Sequence, residues 1–248
     1  MKSFFQRKKD IGRPPKYWPE RSQPFRKDER NPIADLLYNW DGPRLHKWEH
    51  YSRHYHHHFQ PFIGRPSLRV LEIGVYGGGS LELWRKYFGA QAQICGLDIN
   101  PECAKLNLSP GLSVIIGSQD DPETLQRAFD ALGAPPDLVI DDGSHFSHHV
   151  RSSFQWIWPR LLPGSLYVVE DLHASYWKDF GGGYQQPFTS IGLIQDLIDD
   201  LHEPHHTSGH KHAKGLEIGG LHVYDSMVFI EKTKRPEPRT WIQPPDEA

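Results

Sequence analysis

Sulfur is scarce in this chain, with two cysteines and two methionines among 248 residues. Cys95 and Cys103 have no zinc-type spacing, so neither a disulfide framework nor a thiolate metal centre is available, and both are expected to be fillers. No apolar run approaches the roughly 20 residues of a membrane span, and the N-terminus has no apolar signal core. A soluble, cytoplasmic protein without a membrane partner is therefore expected. A large excess of one charge is missing too: the formal net charge of −3 argues against nucleic acid as a bulk partner. The dinucleotide fingerprint G-x-G-x-x-G is also absent, because Tyr76 stands two positions after Gly74 where the second glycine belongs.

Histidine, by contrast, is abundant. Sixteen are present, clustered at His54 to His58, His145 to His149 and His202 to His212. The first and last clusters lack partner carboxylates or a fixed ligand period, so they read as surface or loop histidines.

The length suits one sizeable α/β domain with an appendage. Residues 1–32 hold ten Lys or Arg against four Asp or Glu, broken by five prolines, and form a basic arm that cannot build its own core. Residues 33–65 read as a helical cap rich in aromatics, with Trp48, Tyr51 and Tyr55 near helical spacing. Residues 66–234 alternate strands and helices, and 235–248 form a Pro-rich tail.

Strands are expected at Leu68–Ile73, Gln93–Leu97, Ser113–Ile116, Leu138–Ile140, Leu166–Val169, Leu221–Tyr224 and Met227–Glu231. Helices are expected at Ser80–Phe88, Pro101–Leu106, Pro122–Leu132, Phe146–Arg160 and Ile191–His202. Such alternation implies a three-layer sandwich: a mostly parallel seven-stranded sheet, Rossmann-like, with an antiparallel last strand after the Asp225–Ser226 turn.

Two acidic doublets follow apolar strands: Asp141–Asp142 after Leu138–Ile140, and Glu170–Asp171 after Leu166–Val169. A crossover helix between them makes the strands parallel, with their carboxyl ends on one edge about 4.8 Å apart if adjacent. Carboxylates so placed suit a shared hard cation such as Mg²⁺. His145 stands three residues beyond Asp142, within reach of whatever the ion would hold.

After the first strand, Glu72, Gly74, Tyr76, Gly77 and Ser80 form a glycine-rich turn leading into a helix. Glycines there let backbone approach a ligand and leave the helix N-terminus facing it. Asp98 ends the next strand, where it can accept both hydroxyls of a ribose. Glu72 can pair with an ammonium, and Ser118 and Gln119 offer hydroxyl and amide groups to an adenine edge. Together these favour an adenosyl cofactor, S-adenosylmethionine, over a nicotinamide one.

Six stretches, LRVLEIGVYGGGSLELW, GLDIN, GSQDDPETL, DLVIDDGSHFSHHV, LLPGSLYVVEDLHASYW and HVYDSMVFIEK, carry a resemblance to the metal-dependent sugar O-methyltransferases of the macrocin and mycinamicin type. The resemblance covers most of residues 66–232. It implies a class I S-adenosylmethionine-dependent methyltransferase using Mg²⁺, held by Asp142, Glu170 and Asp171, with His145 as general base. It also implies Asp98 on the ribose, the Glu72 to Ser80 turn on the methionine end, a small-molecule or glycan acceptor and a homo-oligomer. Asp141 is expected to face the cofactor. Against the macrolide enzymes of that family, the chain is expected to lack their large auxiliary N-terminal domain.

A catechol-type O-methyltransferase uses the same ion logic on aromatic diols, and a non-catalytic cofactor-binding scaffold is a further alternative. A DNA methyltransferase is disfavoured, since no Asn or Asp, Pro, Pro, aromatic motif follows the fourth strand.

Overall fold

The computed structural model describes residue 28 and residues 30–207, 217–234 and 239–241. Strands β1 (Arg69–Ile73), β2 (Gln93–Asp98), β3 (Leu112–Ile116), β4 (Leu138–Asp141), β5 (Leu166–Val169), β6 (Ile218–Tyr224) and β7 (Met227–Lys232) form one sheet. Its order is β3-β2-β1-β4-β5-β7-β6. The first five strands pair in parallel, while β7 is antiparallel to both β5 and β6. The strand order reverses between β1 and β4, and open α/β sheets bind ligands in the crevice at such a point, outside the carboxyl ends. The glycine turn and Asp142 both lie there.

Helices cover both faces because strand side chains alternate between them. Val70, Leu138, Ile140, Leu166, Val168 and Phe229 face one layer, with α1 (Pro32–Tyr38), α2 (Tyr51–Phe59) and α3 (Gly79–Phe88). Leu71, Ile73, Val139, Tyr167, Val169 and Val228 face the other, with α4 (Pro122–Leu132), α5 (Ser147–Ile157) and α6 (Ser190–Leu201). The first layer is aromatic: Tyr51, Tyr55, Phe59 and Trp84 are at most 1% exposed. Burial of such a side chain stabilises the fold by roughly 1.5–3 kcal/mol. The cap residues therefore share one core with the sheet.

Four sequence readings change. The stretch from Ile33 to Phe62 is not continuously helical: α1 ends at Tyr38, and residues 39–50 run as an irregular segment past Gly42–Pro43 before α2 begins. Asn31 caps α1 by accepting from the amides of Ile33 and Ala34, worth about 1 kcal/mol. Residues Pro101–Lys105 form a 3₁₀ turn rather than an α-helix, and α5 likewise ends in a 3₁₀ turn, Trp158–Arg160. The histidines of the first cluster are not all on the surface, since His54 and His58 are buried against Tyr224 and Phe229. Burial of each imidazole pushes its pKa down to about 4. Among the described residues no helix is long and apolar enough to cross a membrane. Most of the basic arm, part of the last histidine cluster and most of the tail lie outside the described residues.

Candidate active site at the carboxyl edge of the sheet

Strand alternation separates the two acids at the end of β4. Asp141 pairs in register with Ile73 and Val169, so its side chain projects into the α4–α6 layer. There it is 1% exposed and accepts from Ser153 Oγ at 2.8 Å, Gln119 Nε2 at 3.1 and 3.3 Å, and Tyr167 Oη at 3.3 Å. Burial raises its pKa, opposed by the Ser153 and Gln119 bonds. This corrects the expectation that Asp141 faces the cofactor. It also corrects Gln119, whose amide is spent inside: its Oε1 accepts from the Ser144 amide at 2.9 Å. The pair is a polar knot that holds the Gly143–Ser144 turn beneath the site.

Asp142, Glu72 and Glu170 project to the opposite side, where one cation binds all three. The Lys47 ammonium stands 2.7 Å from Asp142 Oδ2, 2.6 Å from Glu170 Oε1 and 3.6 Å from Glu72 Oε1. Its side chain is 2% exposed, with the rings of Tyr55 and Trp84 within 6 Å. Burial disfavours the charge on Lys47, but Asp142, Glu170 and Glu72 outweigh it and raise its pKa well above that of an ordinary lysine. Burial, with Asp142 beside it, likewise drives the Glu170 carboxyl well up against the pull of Lys47. Glu72, fully buried and without a hydrogen-bond partner on either oxygen, is pushed up to about 7 by burial, with Lys47 opposing.

The outer half of the cup is open. His145 Nε2 lies 3.9 Å from Asp142 Oδ1 and 3.6 Å from Asp171 Oδ2, and these three side chains keep 14–21% exposure. Asp171 accepts from Tyr51 Oη at 2.9 Å, so α2 reaches directly into the site. Burial alone would raise the Asp171 pKa, but His145, His173 and the Tyr51 bond hold it below the ordinary carboxylate value. Three residues here take positive φ without being glycine: Tyr76 at 52°, His145 at 59° and Asp171 at 54°. Such backbone costs of order 1–3 kcal/mol each and gathers where function requires a fixed side chain.

The glycine turn is built by close approach. Gly74 has φ of 96°, and a Cβ there would meet the Asp142 carbonyl oxygen at 2.1 Å. Asp98 Oδ2 accepts from the amides of Val75 and Tyr76, and Oδ1 from that of Asn100, so this acid braces the turn. A Cβ at Gly77 or Gly79 would strike the Arg44 carbonyl at 2.8 or 2.5 Å, so the irregular segment covers the turn. Ser80 is buried, at the first turn of α3. Ser118 donates to Asp120.

Carboxylate oxygens and one imidazole nitrogen thus converge around Asp142 in two overlapping groups, Glu72–Asp142–Glu170 and Asp142–His145–Asp171. His58, His222 and Glu231 form a third group on the far sheet edge. Lys47 was not foreseen from sequence. No motif surrounds it, and its partners are distant in the chain.

No family model matches the chain. A tetracenomycin-C rhamnosyl 2'-O-methyltransferase from Streptomyces olivaceus is 40% identical over 193 residues, covering 73% of this chain and 50% of that protein. Mycinamicin VI 2''-O-methyltransferase from Micromonospora griseorubida is 37% identical over 225 residues, covering 85% and 55%. The MycE methyltransferase of the mycinamycin pathway, solved in complex with Mg, SAH and mycinamycin VI, superposes with a TM-score of 0.73 at 35% identity. That superposition covers 87% of this chain and 57% of MycE. The shared region is a class I methyltransferase domain of the macrocin and mycinamicin type. The chain spans about half the length of the curated relatives it matches. TomG from Streptomyces achromogenes, at 17% identity and a TM-score of 0.51, shares the fold alone.

Proposed function

We propose that this methyltransferase domain transfers a methyl group from S-adenosylmethionine to a sugar hydroxyl of a small glycosylated molecule, assisted by a divalent ion. The observation that carries the reading is the open group Asp142–His145–Asp171, whose Asp142 backbone lies against Gly74 of the glycine turn at the strand-order reversal. The names of the relatives supply the sugar acceptor and MycE supplies the two cofactors.

The residues fit both groups. A donor set of carboxylates without thiolate suits Mg²⁺. Glu72 is fully buried at the end of β1 with Lys47 3.6 Å from Oε1, and its Oε2 would be the oxygen that meets the ammonium of a methionine end. Asp142, Glu170 and Asp171 would hold the ion; Asp98 would take the ribose, while Gly74, Tyr76, Gly77, Ser80 and Ser118 would line the cofactor. When bound, S-adenosylmethionine supplies an electrophilic methyl group and the ion lowers the pKa of the acceptor hydroxyl.

His145 then receives the hydroxyl proton at Nε2, a contribution of about 10²- to 10⁴-fold. Asp142 and Asp171 flank that nitrogen, so the imidazolium forms beside two carboxylates. Phe180 and Phe146, with ring centroids 5.5 Å apart, wall this pocket, and Phe180 lies 6.4 Å from the His145 ring. Exposed aromatics, Tyr176, Tyr184 and Phe188, sit on the segment after Asp171, a surface suited to an amphipathic glycoside. The resemblance further suggests a homo-oligomer, measurable by light scattering.

The test is methyl transfer to rhamnosylated acceptors and to simple catechols. Turnover of the glycoside that is lost in EDTA and in His145→Ala supports the reading. Full activity in EDTA, or turnover of catechols alone, refutes it.

A further inference from the structure

We propose that Lys47 is a positioning residue for the metal ligands: it ties down Oδ2 of Asp142 and Oε1 of Glu170 and so turns Oδ1 of Asp142 to the open side, toward His145. The inference rests on the metal-dependent reading above. It adds a residue that lies on the cap segment, outside the acidic doublets.

Geometry carries the argument. The ammonium engages Asp142 through Oδ2, while Oδ1 of the same carboxylate is the oxygen turned toward His145 Nε2. Lys47 thus fixes the carboxylate rotation that presents Oδ1 to the open side. On Glu170 it holds Oε1 at 2.6 Å. Mg²⁺ demands near-ideal octahedral oxygens at about 2.0–2.1 Å, so a freely rotating carboxylate is a poor ligand. Lys47 is itself immobile: its side chain is 2% exposed, with Tyr55 and Trp84 flanking the ammonium. Its segment is held to the domain on both sides, by the Arg44 carbonyl lying against the glycine turn and by Tyr51 donating to Asp171.

Charge points the same way. Glu72, Asp142, Glu170 and Asp171 place four carboxylates in two groups that share Asp142. Carboxylates buried without a paired cation are costly, and the Lys47 ammonium stands against three of them on the closed, inner side of the site. An outer partner that orients a metal ligand typically accounts for about 10- to 100-fold of metal affinity.

The experiment is calorimetric titration of the full chain with MnCl₂, for wild type, Lys47→Met, Lys47→Arg and, as the lost-ligand reference, Asp142→Asn. Thermal unfolding in EDTA establishes that each variant is folded. Wild type should bind one Mn²⁺, Lys47→Met should bind it about 10- to 100-fold more weakly, and Lys47→Arg should recover most of the loss. A folded Lys47→Met with wild-type or tighter affinity overturns the inference while leaving the metal reading intact. Failure of wild type itself to bind Mn²⁺ overturns both. If Lys47→Met does not fold, Lys47→Gln carries the same comparison.

Discussion

Asp141 and Asp142 are adjacent in the chain and belong to two different regions of the molecule. The knot around Asp141 is closed: the carboxylate is 1% exposed, and Gln119, Ser153 and Tyr167 donate to it from the same side of the sheet. The cup around Asp142 holds more acids than cations, leaves Glu72 without hydrogen bonds and opens to solvent at His145 and Asp171. A satisfied buried network spends its polar groups on rigidity. An over-acidic, half-open one retains capacity for a ligand, and perturbed carboxylates in such a cleft mark chemistry rather than structure.

The largest expected effect falls in the cup. His145→Ala should lower kcat by about 10²- to 10⁴-fold while leaving thermal stability and S-adenosylmethionine affinity near wild type. Steady-state kinetics beside cofactor calorimetry measure this, and an equal loss of cofactor binding would contradict the assignment. In the knot the signature inverts. Asp141→Leu should cost about 1–3 kcal/mol in urea unfolding, because Gln119 and Ser153 lose their acceptor, with metal affinity changed far less than by Asp142→Asn.

Tyr51→Phe, in the cup, has an intermediate effect. Loss of the bond to Asp171 should cost about 1 kcal/mol of stability, read by urea unfolding, and should raise KM for the acceptor more than for the cofactor. The smallest effect is on pH. His54 and His58 have folded pKa values near 4, below the ordinary histidine value of about 6.5. The unfolded chain therefore binds more protons between these values, and stability falls as pH drops from about 6.5 toward 4. His54→Gln with His58→Gln should flatten that part of the melting-temperature profile, whereas an unchanged slope would place its origin elsewhere.

Much of this comparison was legible in the sequence. Alternating apolar runs gave the parallel sheet, and the doublets after Ile140 and Val169 gave the acidic edge, because both are local patterns. Asp141 was misplaced although the signal existed: Val139 and Asp141 lie two apart on one strand and must share a face. Lys47 carried no such signal. A lysine beside Trp48 after a Gly42–Pro43 break looks like solvent-facing loop, and only the fold brings it to Glu72, Asp142 and Glu170. The same holds for His58, whose neighbours His222 and Glu231 come from the last two strands.

Anomalous diffraction from crystals grown with MnCl₂ and S-adenosylhomocysteine tests the division most directly. The account predicts one peak bonded to Asp142 and Asp171 beside His145, with Glu170 completing the set and Asp141 still held by Gln119 and Ser153. A peak coordinated by Asp141, or a peak only at His58, His222 and Glu231, would contradict it.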